Sequence, residues 1–148
     1  MSDIEYCPHC GASMKMYWHT ITPLLITTLQ KFKSGVLAKG ENKIHLIKDL
    51  DGRNTLTKNE YNNFQKLRFH GLVVKYKKDH THLGGYWLLS KRGSQFLRNE
   101  ITIPKRVLTF RNKVVDHSTE HVNYRDVMKS YPLYLETNPE YELADLVV

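Results

Sequence analysis

The tightest constraint on this fold is a run of four residues, Thr57-Lys58-Asn59-Glu60. A threonine followed three positions later by a glutamate is a capping box. The hydroxyl accepts from the glutamate amide and the carboxylate accepts from the threonine amide, which satisfies two of the open donors at a helix start. Tyr61, Phe64 and Leu67 then recur at helical spacing and Gly71 stops the run. This predicts a helix from Lys58 to about His70 that turns Tyr61, Phe64, Leu67 and the stem of Arg68 inward. At about 100° per residue the opposite side carries Lys58, Asn59, Asn62, Lys66 and Phe69, with Asn63 and His70 at its edge. After Gly71 the period changes to two. Leu72, Val74 and Tyr76 alternate with Lys75 and Lys77, as in a strand that buries one face and solvates the other.

The flanking chain reads in the same way. Thr22-Pro23 opens a helix whose Leu25, Leu29, Phe32 and Val36 form one stripe, ending near Gly35 or Gly40. Lys43 to His45 is expected as a brief strand running into a short helix over Leu46 to Leu50, before the Asp51-Gly52 turn. A long loop, Lys78 to Gly85, should join the first strand to a second one over Tyr86 to Leu89. Ser90 then caps a helix over Lys91 to Asn99, in which Gly93 permits a close approach. Pro104 breaks the chain, Val107 to Phe110 and Lys113 to Val115 read as short strands around Arg111-Asn112, and Tyr124 to Tyr131 as a last helical turn or two.

Charge is distributed unevenly along these elements. The 148 residues carry 22 Lys plus Arg and 15 Asp plus Glu, a net charge of +7. From Arg53 to Lys113 there are fourteen basic residues and only three acids, so that stretch carries +11 and the rest −4. Beyond Tyr134 there is no basic residue, and Glu136, Glu140, Glu142 and Asp145 make the tail acidic. A focused positive surface points to a polyanionic partner.

The order helix, strand, short helix, capped helix, strand, basic loop, strand, helix is that of a winged helix-turn-helix. The run from Gly85-Tyr86-Trp87-Leu88-Leu89-Ser90-Lys91-Arg92-Gly93 to Phe96-Leu97 resembles the wing strand and following helix of prokaryotic winged-helix proteins. The wider chain, from the Cys-Pro-x-Cys start through Asn59 to Leu67 and on to Ile103-Pro104-Lys105-Arg106, resembles uncharacterised phage and prophage proteins of this size. The fold class expected is therefore α+β: a winged-helix domain over residues 21–100, a zinc-knuckle-like segment over 1–20 and a β-hairpin and helix extension over 101–148. In that frame Lys58, Asn59, Asn62, Asn63 and Lys66 form a groove-facing surface, since asparagine can pair with an adenine edge and lysine with phosphate or guanine. Lys75, Lys77 and Lys78 on the hairpin, beside His80 and His82, and Arg92 on the next helix would hold the backbone without reading sequence.

Both cysteines lie in Cys7-Pro8-His9-Cys10, half of a tetrahedral zinc site. His19, and the His117-x-x-x-His121 pair if the C-terminal segment folds back, are the candidates to complete a structural zinc site. The same spacing also fits a bare turn or a redox disulfide, although the βαβ pattern around a thioredoxin-like motif is missing. Glycine-rich phosphate loops and carboxylate clusters are absent from the basic stretch, so no enzyme is expected. The function expected is binding of double-stranded DNA by a cytoplasmic bacterial or phage regulator, without a membrane partner and with self-association through the tail to a homodimer. The alternative is a phage interaction module whose basic face binds and inhibits a host defence complex.

Overall fold

A computed structural model of the chain describes residues 15–78 and 81–129. The first helix forms where its signals lie. Thr22 has extended backbone and accepts from the Leu25 amide, Pro23 takes the first turn, and Gly40 closes the helix at φ 74°. Between them α1 (Pro23–Lys39) buries Leu25, Leu29 and Phe32 completely, and ends at the second of the two glycines expected near its close.

After β2 (Ile44–His45) the expected helix over Leu46 to Leu50 does not form; the chain makes a turn instead. His45 Nδ1 accepts from the amides of Ile47 and Lys48, and the Asp49 carboxylate accepts from the His45 amide. These side chains satisfy the turn locally and compete with the helical ladder, as Asx-type bonding does. A 3-10 turn at Gly52–Asn54 leads to α2 (Lys58–Phe69). Both arms of its capping box are made, at 3.1 Å from Thr57 Oγ1 to the Glu60 amide and 2.8 Å from Glu60 Oε1 to the Thr57 amide. Phe64 and Leu67 are buried, but Tyr61 is 47% exposed, and the inward stripe runs Glu60, Phe64, Leu67. Glu60 faces the core because Lys31 of α1 meets its carboxylate at 2.7 Å.

The two strands expected on either side of the long loop pair directly as β3 (Val73–Lys78) and β4 (Thr81–Leu89), so most of that loop is strand and only residues 79–80 intervene. The strand alternation is one residue out of phase with expectation. Val73 is buried and Val74 is 43% exposed, while Lys75 lies over the Trp87 ring on the face packed against α2. Leu72 is buried before the strand begins, with its carbonyl taking the Ser90 amide, and a bulge between Lys75 and Lys77 breaks the period again. Ser90 caps α3 (Lys91–Leu97) by accepting from the Gly93 amide at 2.9 Å. The strand order in this sheet is β2-β4-β3.

The rest of the described chain builds a second sheet. A five-residue strand that the sequence does not announce, β1 (Met16–Thr20), pairs antiparallel with β6 (Arg106–Phe110), which pairs in turn with β7 (Lys113–His117). Arg111 and Asn112 make the β6–β7 turn with φ of 50° and 64°, the double positive φ of a type I′ hairpin. On either side of this hairpin in the chain, β5 (Ile103–Pro104) pairs with β8 (His121–Val122), and α4 (Tyr124–Met128) starts on a second capping box, Asn123 with Asp126. Gln30 donates to the Tyr124 hydroxyl at 2.6 Å, so α4 and Met128 join the same core as α1 and α3. The protein is mixed α+β, and segments from both ends of the described chain share a sheet. Among the described residues no helix is long and apolar enough to cross a membrane.

Candidate nucleic-acid interface

Helix α2 and the β2-β4-β3 sheet pack edge to face through Phe64 and Trp87, whose rings lie 5.1 Å apart. Phe64 also meets Phe32 of α1 at 5.4 Å. This fixes α2 by its inner side and leaves the first half of its outer side in solvent. Lys58, Asn59 and Asn62 are all exposed there. Asn63 is half-buried and tied down, donating to the Asn59 carbonyl at 2.8 Å and to Asn59 Oδ1 at 2.9 Å. It supports Asn59 and does not extend the open surface.

The second half of the helix is covered. Phe69, expected on the open side, meets the His19 ring of β1 at 5.1 Å, and the Arg68 guanidinium lies 5.2 Å from the Phe69 ring while donating to the Asn112 carbonyl at 3.3 Å. Lys66 is half-buried beside this contact. His70 is fully buried, a correction to its expected place at the helix edge. Burial, with smaller contributions from His19 and Arg92, pushes the His70 imidazole down to about 4. His19 is also lowered, first by burial and then by Lys66. The His70 imidazole is therefore neutral near pH 7 and adds no charge to a phosphate-facing surface.

On the sheet, Lys77 is exposed and Lys75 is half-buried against Trp87, on the side of the sheet nearest α2 and not on the opposite, solvent face. Arg92 is exposed at the start of α3. His80 lies outside the described residues, and the side chains of Lys78 and His82 are likewise not described. Of the residues expected to contact nucleic acid, those described as open to solvent are Lys58, Asn59, Asn62, Lys77 and Arg92, a smaller and more N-terminal set than the sequence implies.

Cys7 and Cys10 lie outside the described residues. Within the described residues β6 pairs with β1 and β7 with β6, so that His19 pairs with Val107 and Val107 with His117. His19 Nε2 is engaged by Thr109 Oγ1 at 2.9 Å, so in this arrangement it serves packing. His117 Nδ1 bonds the Ser118 carbonyl at 2.9 Å and His121 Nδ1 the Thr119 carbonyl at 3.0 Å, with the two exposed rings 6.2 Å apart. Among the described residues no group of three or more His, Cys, Asp and Glu could hold a metal ion.

Sequence reasoning misses a further group. Met16, Tyr17 and Trp18 on β1 are each more than half exposed, and Arg106 lies 5.6 Å from the Trp18 ring. The alternation that would have revealed this strand is only five residues long, and its partner lies about ninety residues away. Comparison with known proteins finds no matching family model, no matching curated protein and no matching solved structure.

Proposed function

We propose that the chain is a winged-helix protein that binds duplex DNA with the first half of α2, while Lys77 and Arg92 hold the backbone. The observation that carries this reading is the exposed row Lys58, Asn59, Asn62 on a helix clamped by Phe64 and Trp87 to a sheet ordered β2-β4-β3. First strand, third strand, second strand is the arrangement expected of a wing, and a capped helix end presenting amides and a cation suits base edges and phosphate together. The helix before α2 in such modules is here a side-chain-bonded turn, and the second sheet covers the C-terminal half of α2. Groove contact is therefore confined to about two turns of helix.

A gel shift against random duplex over a salt series tests it. Binding should weaken steeply with salt, and Lys58→Ala or Lys77→Ala should each reduce the salt slope by about 1. Asn62→Ala should leave the slope unchanged and relax any sequence preference. Absence of a shift at low salt would refute DNA binding and favour protein docking. One feature supports that second reading. The turn that replaces the helix opens an apolar groove of about 340 Å3 lined by Leu46, Ile47, Leu50, Leu56 and Tyr61, with Ile47 67% exposed.

We also propose a structural zinc held by Cys7, Cys10, His117 and His121. Support comes from the bonding of both histidine Nδ1 atoms to backbone carbonyls, a contact that orients an imidazole to offer Nε2 to a metal. Metal analysis of the purified full chain should find about one zinc per chain, lost in Cys7→Ser with Cys10→Ser. A metal-free wild-type chain that folds and melts identically with and without chelator would rule the site out.

A further inference from the structure

We propose that the outward face of the β1-β6-β7 sheet binds single-stranded nucleic acid by stacking bases on Trp18 and Phe110. This does not rest on the reading of α2. The two surfaces belong to different elements.

The register decides which residues share the face. Met16 pairs with Phe110 and Trp18 with Leu108, and Phe110 and Leu108 pair onward with Lys113 and Asp116. Directly paired residues project to the same side of a sheet. Val107 and Thr109 alternate with them, are buried, and face the side where His19 meets Phe69. Met16, Trp18, Leu108 and Phe110 therefore project together away from the core, with Met16 53% and Trp18 51% exposed. Apolar residues gathered on one open sheet face mark an interaction surface more strongly than scattered ones do.

The cations on this face select the class of ligand. The Arg106 guanidinium lies 5.6 Å from the Trp18 ring and that of Arg111 lies 5.1 Å from the Phe110 ring. Lys113 is exposed beside them and Asp116 is the acid that shares the face. Rings that accept a base, each next to a cation that meets a phosphate, are the two parts of a single-strand site. Duplex bases are stacked on each other and cannot offer their faces to a sheet. Trp18 and Phe110 occupy diagonal positions, roughly 7–8 Å apart by sheet geometry, so neighbouring nucleotides can take one ring each. A type I′ turn with positive φ at both Arg111 and Asn112 fixes the end of the hairpin from which Arg111 projects.

The protein offers its own reporter. Of its two tryptophans Trp18 is half exposed and Trp87 is buried, so a stacked base quenches only the first. Titration of the full chain with oligo(dT) of about 12 nucleotides should quench the emission, and a duplex of equal length should not. Trp18→Leu should abolish the quench and weaken oligo(dT) binding, followed by anisotropy of a labelled strand, about tenfold or more. Trp18→Phe, which keeps a ring, should retain most of the affinity, and Arg106→Ala should reduce the salt dependence. Lys58→Ala and Asn62→Ala should leave oligo(dT) binding unchanged, which separates this site from the duplex surface. Oligo(dT) binding that survives Trp18→Leu undiminished would overturn the proposal. So would a wild-type chain that ignores oligo(dT) and instead self-associates in a Trp18-dependent way, because the face would then be a protein contact.

Discussion

Gly93→Ala is expected to destabilise the fold by about 3 kcal/mol, lowering Tm by roughly 8 °C, because the backbone at Leu72, just ahead of β3, leaves no room for a methyl group. A Cβ at this position would lie 2.2 Å from the Leu72 carbonyl oxygen and 3.0 Å from Leu89 Cδ1. That oxygen is already fixed as the acceptor of the Ser90 amide, and Ser90 Oγ ties Gly71 to the start of α3. Relief of the clash must move α3 away from the β3–β4 hairpin and stretch those bonds. Alanine recovers only about 1 kcal/mol in helix propensity. Gly35 provides the internal control: its Cβ would meet only the far end of the Leu50 side chain, at 2.3 Å. That methyl can rotate away, so Gly35→Ala should cost less than half as much. Urea unfolding of the two variants decides the matter, and equal losses would show that backbone proximity is not the cause.

Gly93 also shows where the sequence is legible. Its role in close approach follows from a glycine in the first turn of a capped helix, and the caps expected at Thr22, Thr57 and Ser90 are all made. Such signals involve residues three or four apart, so they do not need the rest of the fold. Elements decided by distant partners are harder to read. Leu46 to Leu50 is apolar enough for a helix, yet His45 and Asp49 tie its amides into a turn. The alternation from Leu72 begins one residue early, because Leu72 is buried ahead of the strand, which starts at Val73. The candidate site divides in the same way. Lys58, Asn59 and Asn62 stand where a helical wheel puts them, whereas Lys66 and Phe69 are covered by a sheet assembled from residues 16–20 and 106–117. The local sequence around α2 contains no trace of that sheet.

Glu60→Ala should be the most damaging single change at the surface proposed to read DNA, at about 3 to 4 kcal/mol, although Glu60 itself touches no ligand. Its carboxylate is almost completely buried and does two jobs, accepting the Thr57 amide at 2.8 Å and the Lys31 ammonium at 2.7 Å. Loss of the cap alone costs about 1 kcal/mol. The larger share comes from Lys31, whose side chain is only 14% exposed and keeps a single neutral acceptor, the Thr55 carbonyl at 3.2 Å. A half-removed buried pair is worse than none. Lys31→Met combined with Glu60→Leu should therefore recover much of the stability lost in Glu60→Ala, and a double-mutant cycle should give a coupling of about 2 kcal/mol. The same variants report on function. Glu60 anchors the first turn of α2, and that turn carries Lys58 and Asn59. The apolar pair should restore stability without restoring the cap, so the helix start stays frayed and duplex binding stays weaker than wild type. Full recovery of both properties would mean that the capped turn does not position the DNA-reading residues, and the proposed interface on α2 would lose its structural basis.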